Sequence, residues 1–219
     1  MQFSLSTLLF WISLASGASV AVRAPPAPEL TTRAASNDTE NQLSGPCRPV
    51  TFIFARGTGE DGNVGARIGP PLIADLRVAL GTDGIAAQGV DYDASVLGYL
   101  EGGSPSGSAT MATLIDTAAS QCPDTQIVIG GYSQGAQLVH NAAATLNASV
   151  TARIAAVVTF GDPKRVESSA PPIGTVPFDK VYSDCHTDDI ICTGFGGVTE
   201  HLDYDEDAPA ASAFIVGLL

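Results

Sequence analysis

Apolar positions along the chain fall into two alternating patterns. Short runs rich in β-branched and aromatic residues recur at 49–55 (PVTFIFA), 85–92, 124–130 (DTQIVIG) and Ile154–Phe160 (IAAVVTF), with a shorter one at 180–183. Their length and the Gly, Pro and Asp residues around them predict strands buried on both faces. Between them the spacing changes to three and four. Leu72, Ile73, Leu76 and Leu80 share one face of a helix over 68–80, and Met111, Leu114, Ile115 and Ala118 share one over 106–122. Pro70 and Pro71 fit the first turn of the earlier helix, and Gly81, Asp83 and Gly84 end it. Helical spacing returns over 134–146 and in an amphipathic stretch at 208–219. Strands alternating with helices imply parallel pairing and a sheet covered on both sides. The expected fold is therefore α/β, with about five mostly parallel strands flanked by helices on both faces. No repeat is visible. The stretch from 160 to 180 is Pro-rich and polar, which predicts a surface loop and excludes a large apolar lid.

The N-terminus interrupts this alternation. Residues 8–15 (LLFWISLA) form an apolar run too short to cross a bilayer, followed by the small residues Ser16, Gly17, Ala18 and Ser19. No Lys or Arg precedes the run, so only the α-amino group supplies positive charge. We read 1–18 as a signal peptide and 19–44, rich in Ala, Pro, Thr, Ser and Asn, as a propeptide or flexible leader. Residues 45–219 are then one catalytic domain of a secreted, extracellular protein. No other segment is long and apolar enough for a membrane span. Two N-glycosylation sequons begin at Asn37 and Asn147. The four cysteines, Cys47, Cys122, Cys185 and Cys192, suit disulfides outside the cell. Three pairings are possible; Cys185 and Cys192, with six residues between them, suit a local bridge that leaves Cys47 to Cys122. No CxxC spacing supports zinc.

Composition narrows the partner. The chain has 219 residues, 45% of them hydrophobic and 15% charged, which excludes a disordered polymer. The formal net charge is −13 with only 10 Lys and Arg, so nucleic acid and anionic lipid headgroups would be repelled. A neutral or apolar partner is expected.

The chemistry centres on Gly131-Tyr132-Ser133-Gln134-Gly135, a G-x-S-x-G sequence. Its context gives it weight: an apolar strand precedes it and a helical pattern follows, which is the strand–turn–helix geometry of a nucleophilic serine. The helix beginning at Gln134 would aim N–H groups at a negative oxygen formed beside Ser133. A serine needs a base, and the base an orienting acid, in the chain order Ser, acid, His. His140 lies seven residues on along the same helix and reads as structural or surface; His186 and His201 both follow the last strand. Among the acids, Asp189 sits inside the small Cys185–Cys192 loop, with Asp184 and Asp188 as weaker candidates. Spacing alone favours Asp189 with His201 without excluding the alternatives.

These residues resemble the fungal cutinases. The likeness is carried by Cys122-Pro123 and residues 130–135, by the loop CHTDDIIC at 185–192, by EHLDY at 200–204, by FARGTGE at 54–60 and by FGDP at 160–163. Several motifs in one order, spanning about Cys47 to the C-terminus, make it specific. The resemblance implies a compact lidless α/β-hydrolase with Ser133 as nucleophile, His201 as base and Asp189 as acid. It implies an oxyanion hole at Thr58 and Gln134, and disulfides Cys47–Cys122 and Cys185–Cys192. Many relatives carry Ser where this chain has Thr58; the hydroxyl is kept. Acetylxylan esterases share the family and triad but carry more cysteines. The expected reaction is acyl transfer on cutin and other aliphatic esters or polyesters, without cofactor or metal, by a monomer. Leu97, Tyr99, Leu100, Phe195 and Val198 are expected to form apolar lips for the acyl chain. Two competing classes are weaker. A non-catalytic effector would have a degraded triad, and the acidic run from Asp203 to Asp207 lacks the spacing of a catalytic metal site.

Overall fold

The structure, a computed structural model, describes residues 37–169 and 171–219. Five strands, β1 (Val50–Ala55), β2 (Ile85–Gly89), β3 (Gln126–Tyr132), β4 (Ile154–Phe160) and β5 (Val181–Asp184), form one sheet in the order β2-β1-β3-β4-β5. Every pairing is parallel. The helices are α1 (Gly69–Leu80), α2 (Val96–Leu100), α3 (Pro105–Gln121), α4 (Gln134–Ala143), α5 (Ala148–Thr151), α6 (Ile190–Thr193) and α7 (Ala208–Leu218).

The period of two along the strands divides the core into two layers. Phe52 and Phe54 of β1, with Val128 and Tyr132 of β3, pack against Leu72 and Leu76 of α1 and against Ala211 and Ile215 of α7. Ile53 and Ala55 turn the other way, joining Ile127 and Ile129 against Met111 and Ile115 of α3 and Leu138 and Val139 of α4. All six positions of β1 are buried, which is why that segment reads as a continuous apolar run with no alternation.

Most expected elements are present within a few residues, and the differences have local causes. The strand expected over 85–92 ends at Gly89 because the chain beyond it turns its carbonyls to a side chain. Arg56 donates to Val90 O at 3.4 Å and Tyr92 O at 2.5 Å, and its guanidinium lies 4.8 Å from the Tyr92 ring centre. The stretch from 160 to 180 holds short 3₁₀ turns at Pro163–Val166 and Phe178–Lys180, the first begun by Asp162 capping Lys164 N.

The larger departure concerns the leader. The expected signal peptide lies outside the described residues, as does most of the leader, but residues 38–44 are packed on the domain. Asp38 O accepts from Asn63 N and Val64 N; Glu40 holds Arg77 through two bonds of 2.7 and 2.8 Å; Asn41 bridges Gln88 of β2; and Leu43 is buried. The segment covers the open edge of β2 with polar bonds and one apolar contact, so no periodicity marked it. Asn37 and Asn147 are both exposed.

Disulfides join Cys47 to Cys122 and Cys185 to Cys192. Among the described residues no helix is long and apolar enough to cross a membrane.

Candidate active site

Ser133 stands between β3 and α4 with φ 55° and ψ −119°, a backbone region that non-glycine residues avoid at a cost of about 1–3 kcal/mol. The turn is this tight because the helix start is pressed against the sheet. A Cβ on Gly135 would sit 1.9 Å from Ala55 O, and one on Gly131 would sit 2.3 Å from Gly135 O. Both glycines of the G-x-S-x-G sequence are thus required by close backbone approach, and the strained serine is what they permit.

His201 and Asp189 come to this turn from 68 and 56 residues further along the chain. His201 Nε2 lies 2.9 Å from Ser133 Oγ, and His201 Nδ1 lies 2.8 Å from Asp189 Oδ2. Asp189 is fully buried and caps α6, its Oδ1 accepting from Ile191 N at 2.8 Å. The Cys185–Cys192 bridge closes around it, and Gly197 N and O bond Asp188 O and Ile190 N. Donors on both oxygens hold the buried carboxylate in one orientation, aimed at His201.

His201 is held firmly in place. The residue is 7% exposed and its backbone is tied from two sides: Tyr132 OH donates to His201 O at 2.6 Å, and Arg67 donates to Leu202 O at 2.6 Å. The Tyr132 and His201 rings stack at 5.0 Å. Gly161 supplies the room, since a Cβ there would sit 2.6 Å from His201 Cε1, at a backbone φ of +53°. Tyr132 and Gly161 were visible within quoted motifs, yet neither role follows from spacing. Burial pushes the Tyr132 hydroxyl well above the ordinary tyrosine range, so it remains a donor at any working pH.

Thr58 lines the same cavity as Ser133, and its side chain is bonded directly to that of Gln134. Gln134 is fully buried, and its Nε2 donates to Thr58 Oγ1 at 2.8 Å and to Ser95 O at 2.9 Å. A carbonyl can only accept, which fixes the amide orientation, so Thr58 Oγ1 is the acceptor of the other bond. The hydroxyl hydrogen of Thr58 is thereby left free to point elsewhere. The Gln134 backbone N–H, at the first position of α4, has no acceptor within the helix.

A cavity of about 310 Å³ opens beside Ser133, walled by Val96, Tyr99, Ile191 and Leu202, with Thr58 and Arg67 as polar neighbours. Of the five expected lip residues, Tyr99 lines it. Leu97, Leu100, Phe195 and Val198 do not; they are between 60% and 73% exposed. The reason is the period. Residues 96–100 form a helix, so positions 96 and 99 share the face toward the serine while 97 and 100 turn away. Likewise α6 brings Ile191 to the wall, whereas 195 and 198 lie beyond its end.

The remaining histidines stand apart from Ser133. His140 is buried, with Nε2 2.8 Å from Asp162 Oδ2 and Nδ1 3.0 Å from Pro172 O. His186, Asp184 and Asp207 bring ligand-type atoms within 4.8 Å of one another. Both His186 nitrogens already have protein partners, Glu200 O at 3.0 Å and Asp207 Oδ2 at 2.9 Å.

Residues 46–219 match the Cutinase family. A cutinase of Blumeria hordei is 51% identical over 183 residues, covering 83% of this chain and 76% of that one. A cutinase of Botryotinia fuckeliana is 49% identical over 170 residues, covering 77% and 82%. Among solved structures, a Trichoderma reesei cutinase in complex with a phosphonate inhibitor superposes with a TM-score of 0.75 at 43% identity, covering 83% of this chain and 80% of that one. The chain belongs to the cutinase family and is a carboxylic ester hydrolase.

Proposed function

We propose that this ester hydrolase is a secreted serine esterase acting on cutin and related apolar aliphatic polyesters through an acyl-enzyme formed on Ser133. The observation that carries the reading is the unbroken hydrogen-bonded line from Asp189 through His201 to Ser133, ending at an open, largely apolar cavity. In the first half-reaction His201 Nε2 takes the proton of Ser133 Oγ as the oxygen attacks an ester carbonyl. The negative oxygen that forms is held by the backbone N–H groups of Gln134 and Thr58 and by the Thr58 hydroxyl. His201 returns the proton to the departing alcohol. A water molecule then repeats the attack on the acyl-enzyme, with His201 again the base, and releases the acid. No step needs a cofactor.

The substrate class follows from the walls. Val96, Ile191 and Leu202 suit an acyl chain, and exposed Leu97, Leu100, Phe195 and Val198 extend apolar surface beyond the cavity. With no lid among the described residues, such a rim suits an insoluble polyester face. Secretion is supported by the apolar run at 8–15 and by two disulfides. The relatives named as cutinases support the polymer. The test is a hydrolysis panel of p-nitrophenyl esters of increasing chain length, acetylated xylan and a polyester film. Butyrate or longer esters and the film should be preferred. Preference for acetylated xylan would instead favour an acetylxylan esterase.

The oxyanion assignment has its own test. Thr58→Val keeps the shape and removes the hydroxyl, and should lower kcat by about 10²–10³ with little change in KM. A variant with unchanged kcat would remove Thr58 from the reaction.

A further inference from the structure

Tyr204 stands three residues after His201, fully buried at the start of the 3₁₀ turn that leads into α7. Its ring meets those of Tyr132 at 5.9 Å, Phe160 at 6.1 Å and His201 at 6.2 Å, the last edge-on at 86°. Its hydroxyl accepts from His186 N–H at 3.0 Å and donates to Asp189 Oδ2 at 2.8 Å. The direction is unambiguous: a backbone N–H only donates, so the single phenolic hydrogen goes to the carboxylate. Asp189 Oδ2 is the same oxygen that receives His201 Nδ1.

Beneath Tyr204 lies His186, its ring 4.1 Å away and inclined by 23°. His186 Nδ1 lies 3.0 Å from Glu200 O and Nε2 lies 2.9 Å from Asp207 Oδ2. The carbonyl can only accept, and Asp207 accepts when ionised; in that state both nitrogens carry hydrogen and the ring is a cation on the phenol face.

We propose that Tyr204 is a positioning residue that fixes and tempers Asp189, and that the His186 cation stacked on it strengthens its hydrogen bond. The proposal rests on the Ser133–His201–Asp189 reading above. With two donors on one oxygen, Asp189 shares its charge between His201 and Tyr204. Without the phenol, the carboxylate holds the imidazolium more tightly and is aimed less well.

The charged surroundings agree. Burial lowers the affinity of His186 for its second proton. The hydrogen bonds to Asp207 and Glu200 O and the charges of Asp207 and Asp184 outweigh it, so the pKa is raised above the ordinary histidine value. Asp207 is also pushed up from the carboxylate range, because burial, Asp184 and Asp203 together outweigh its bond to His186. The acceptors at both ring nitrogens decide the direction for the histidine. The Glu200 carboxylate lies 4.0 Å from Nδ1. Around His201 and Asp189 the other ionisable neighbours are Tyr99, Tyr132, Arg67 and Glu60, and the variants below leave them in place.

The experiment is the pH profile of kcat/KM for the full-length protein, Tyr204→Phe, His186→Asn and the double variant, with uptake of a phosphonate on Ser133 measured in each. Tyr204→Phe should take up the phosphonate, lose about tenfold in kcat, and show its acid limb displaced upward by about half to one pH unit. His186→Asn keeps the backbone N–H and should displace the limb less, in the same direction. Its effect should vanish when Tyr204 is already Phe, because it acts through the hydroxyl. An unmoved limb and full kcat in Tyr204→Phe overturn the proposal while the triad stands, and additive displacements in the double variant overturn the part given to His186. Should Tyr204→Phe fail to fold, an unmoved limb in His186→Asn overturns the coupling. A parent enzyme with no acid limb and no phosphonate uptake overturns the triad reading instead.

Discussion

Ser133→Ala is expected to lower ester hydrolysis by about 10⁶ in kcat while leaving the protein folded. The magnitude is large because, on the proposed mechanism, the serine is joined to its base and acid in one line, and removing the oxygen leaves the rest without a nucleophile to activate. What remains is the oxyanion hole and substrate binding, worth about 10³–10⁴ over the reaction in water. Stability should not fall with activity. The residue is held with a positive φ that costs energy, its Oγ is hydrogen-bonded to His201, and its backbone N–H bonds Phe160 O at 2.9 Å. Alanine keeps that backbone bond. The measurements are hydrolysis of a p-nitrophenyl butyrate solution and thermal unfolding by circular dichroism. Activity near the parent level in a folded variant would place the nucleophile elsewhere.

Asp189→Asn should cost about 10⁴ in kcat. Every partner of the carboxylate is a donor: His201 Nδ1 and Tyr204 OH on one oxygen, Ile191 N on the other. An asparagine has one oxygen and one NH₂, so in either orientation a donor meets a donor. If the NH₂ faces Ile191, the cap of α6 is broken and the neutral carbonyl no longer stabilises the imidazolium. If it faces His201, the imidazole must place its hydrogen on Nε2 and cannot take the serine proton. Both outcomes lower kcat, and the first also loosens the loop closed by Cys185 and Cys192. Single-turnover acylation by a p-nitrophenyl ester reads the loss directly. A loss of tenfold or less would mean that the base is oriented mainly by Tyr132 and Arg67.

Much of this was legible in the chain. A buried parallel sheet writes itself as apolar runs of fixed length, since both faces of every central strand are covered; β1 and β4 were readable for that reason. The serine turn was readable because close backbone approach admits only glycine at 131 and 135. Bridge formation at Cys185 and Cys192 needed only their small separation.

Other features had no local signature. Val96, Ile191 and Leu202 were missed as cavity walls, and Leu97, Leu100, Phe195 and Val198 were put there instead, because a short apolar–glycine stretch does not reveal whether it coils. The docked segment at 38–44 relies on polar bonds to β2 and α1, which leave no period.

Local sequence, then, settled which residues could form strands, helices and a strained serine turn, because those depend on the nearest few neighbours and on burial. Which histidine and which aspartate line up with Ser133, which side of α2 faces the cavity, and how Tyr204 bears on Asp189 were settled by packing. Those contacts join groups between 12 and 68 positions apart, and the free energy that pairs them comes from the whole buried sheet, which no short window of sequence contains.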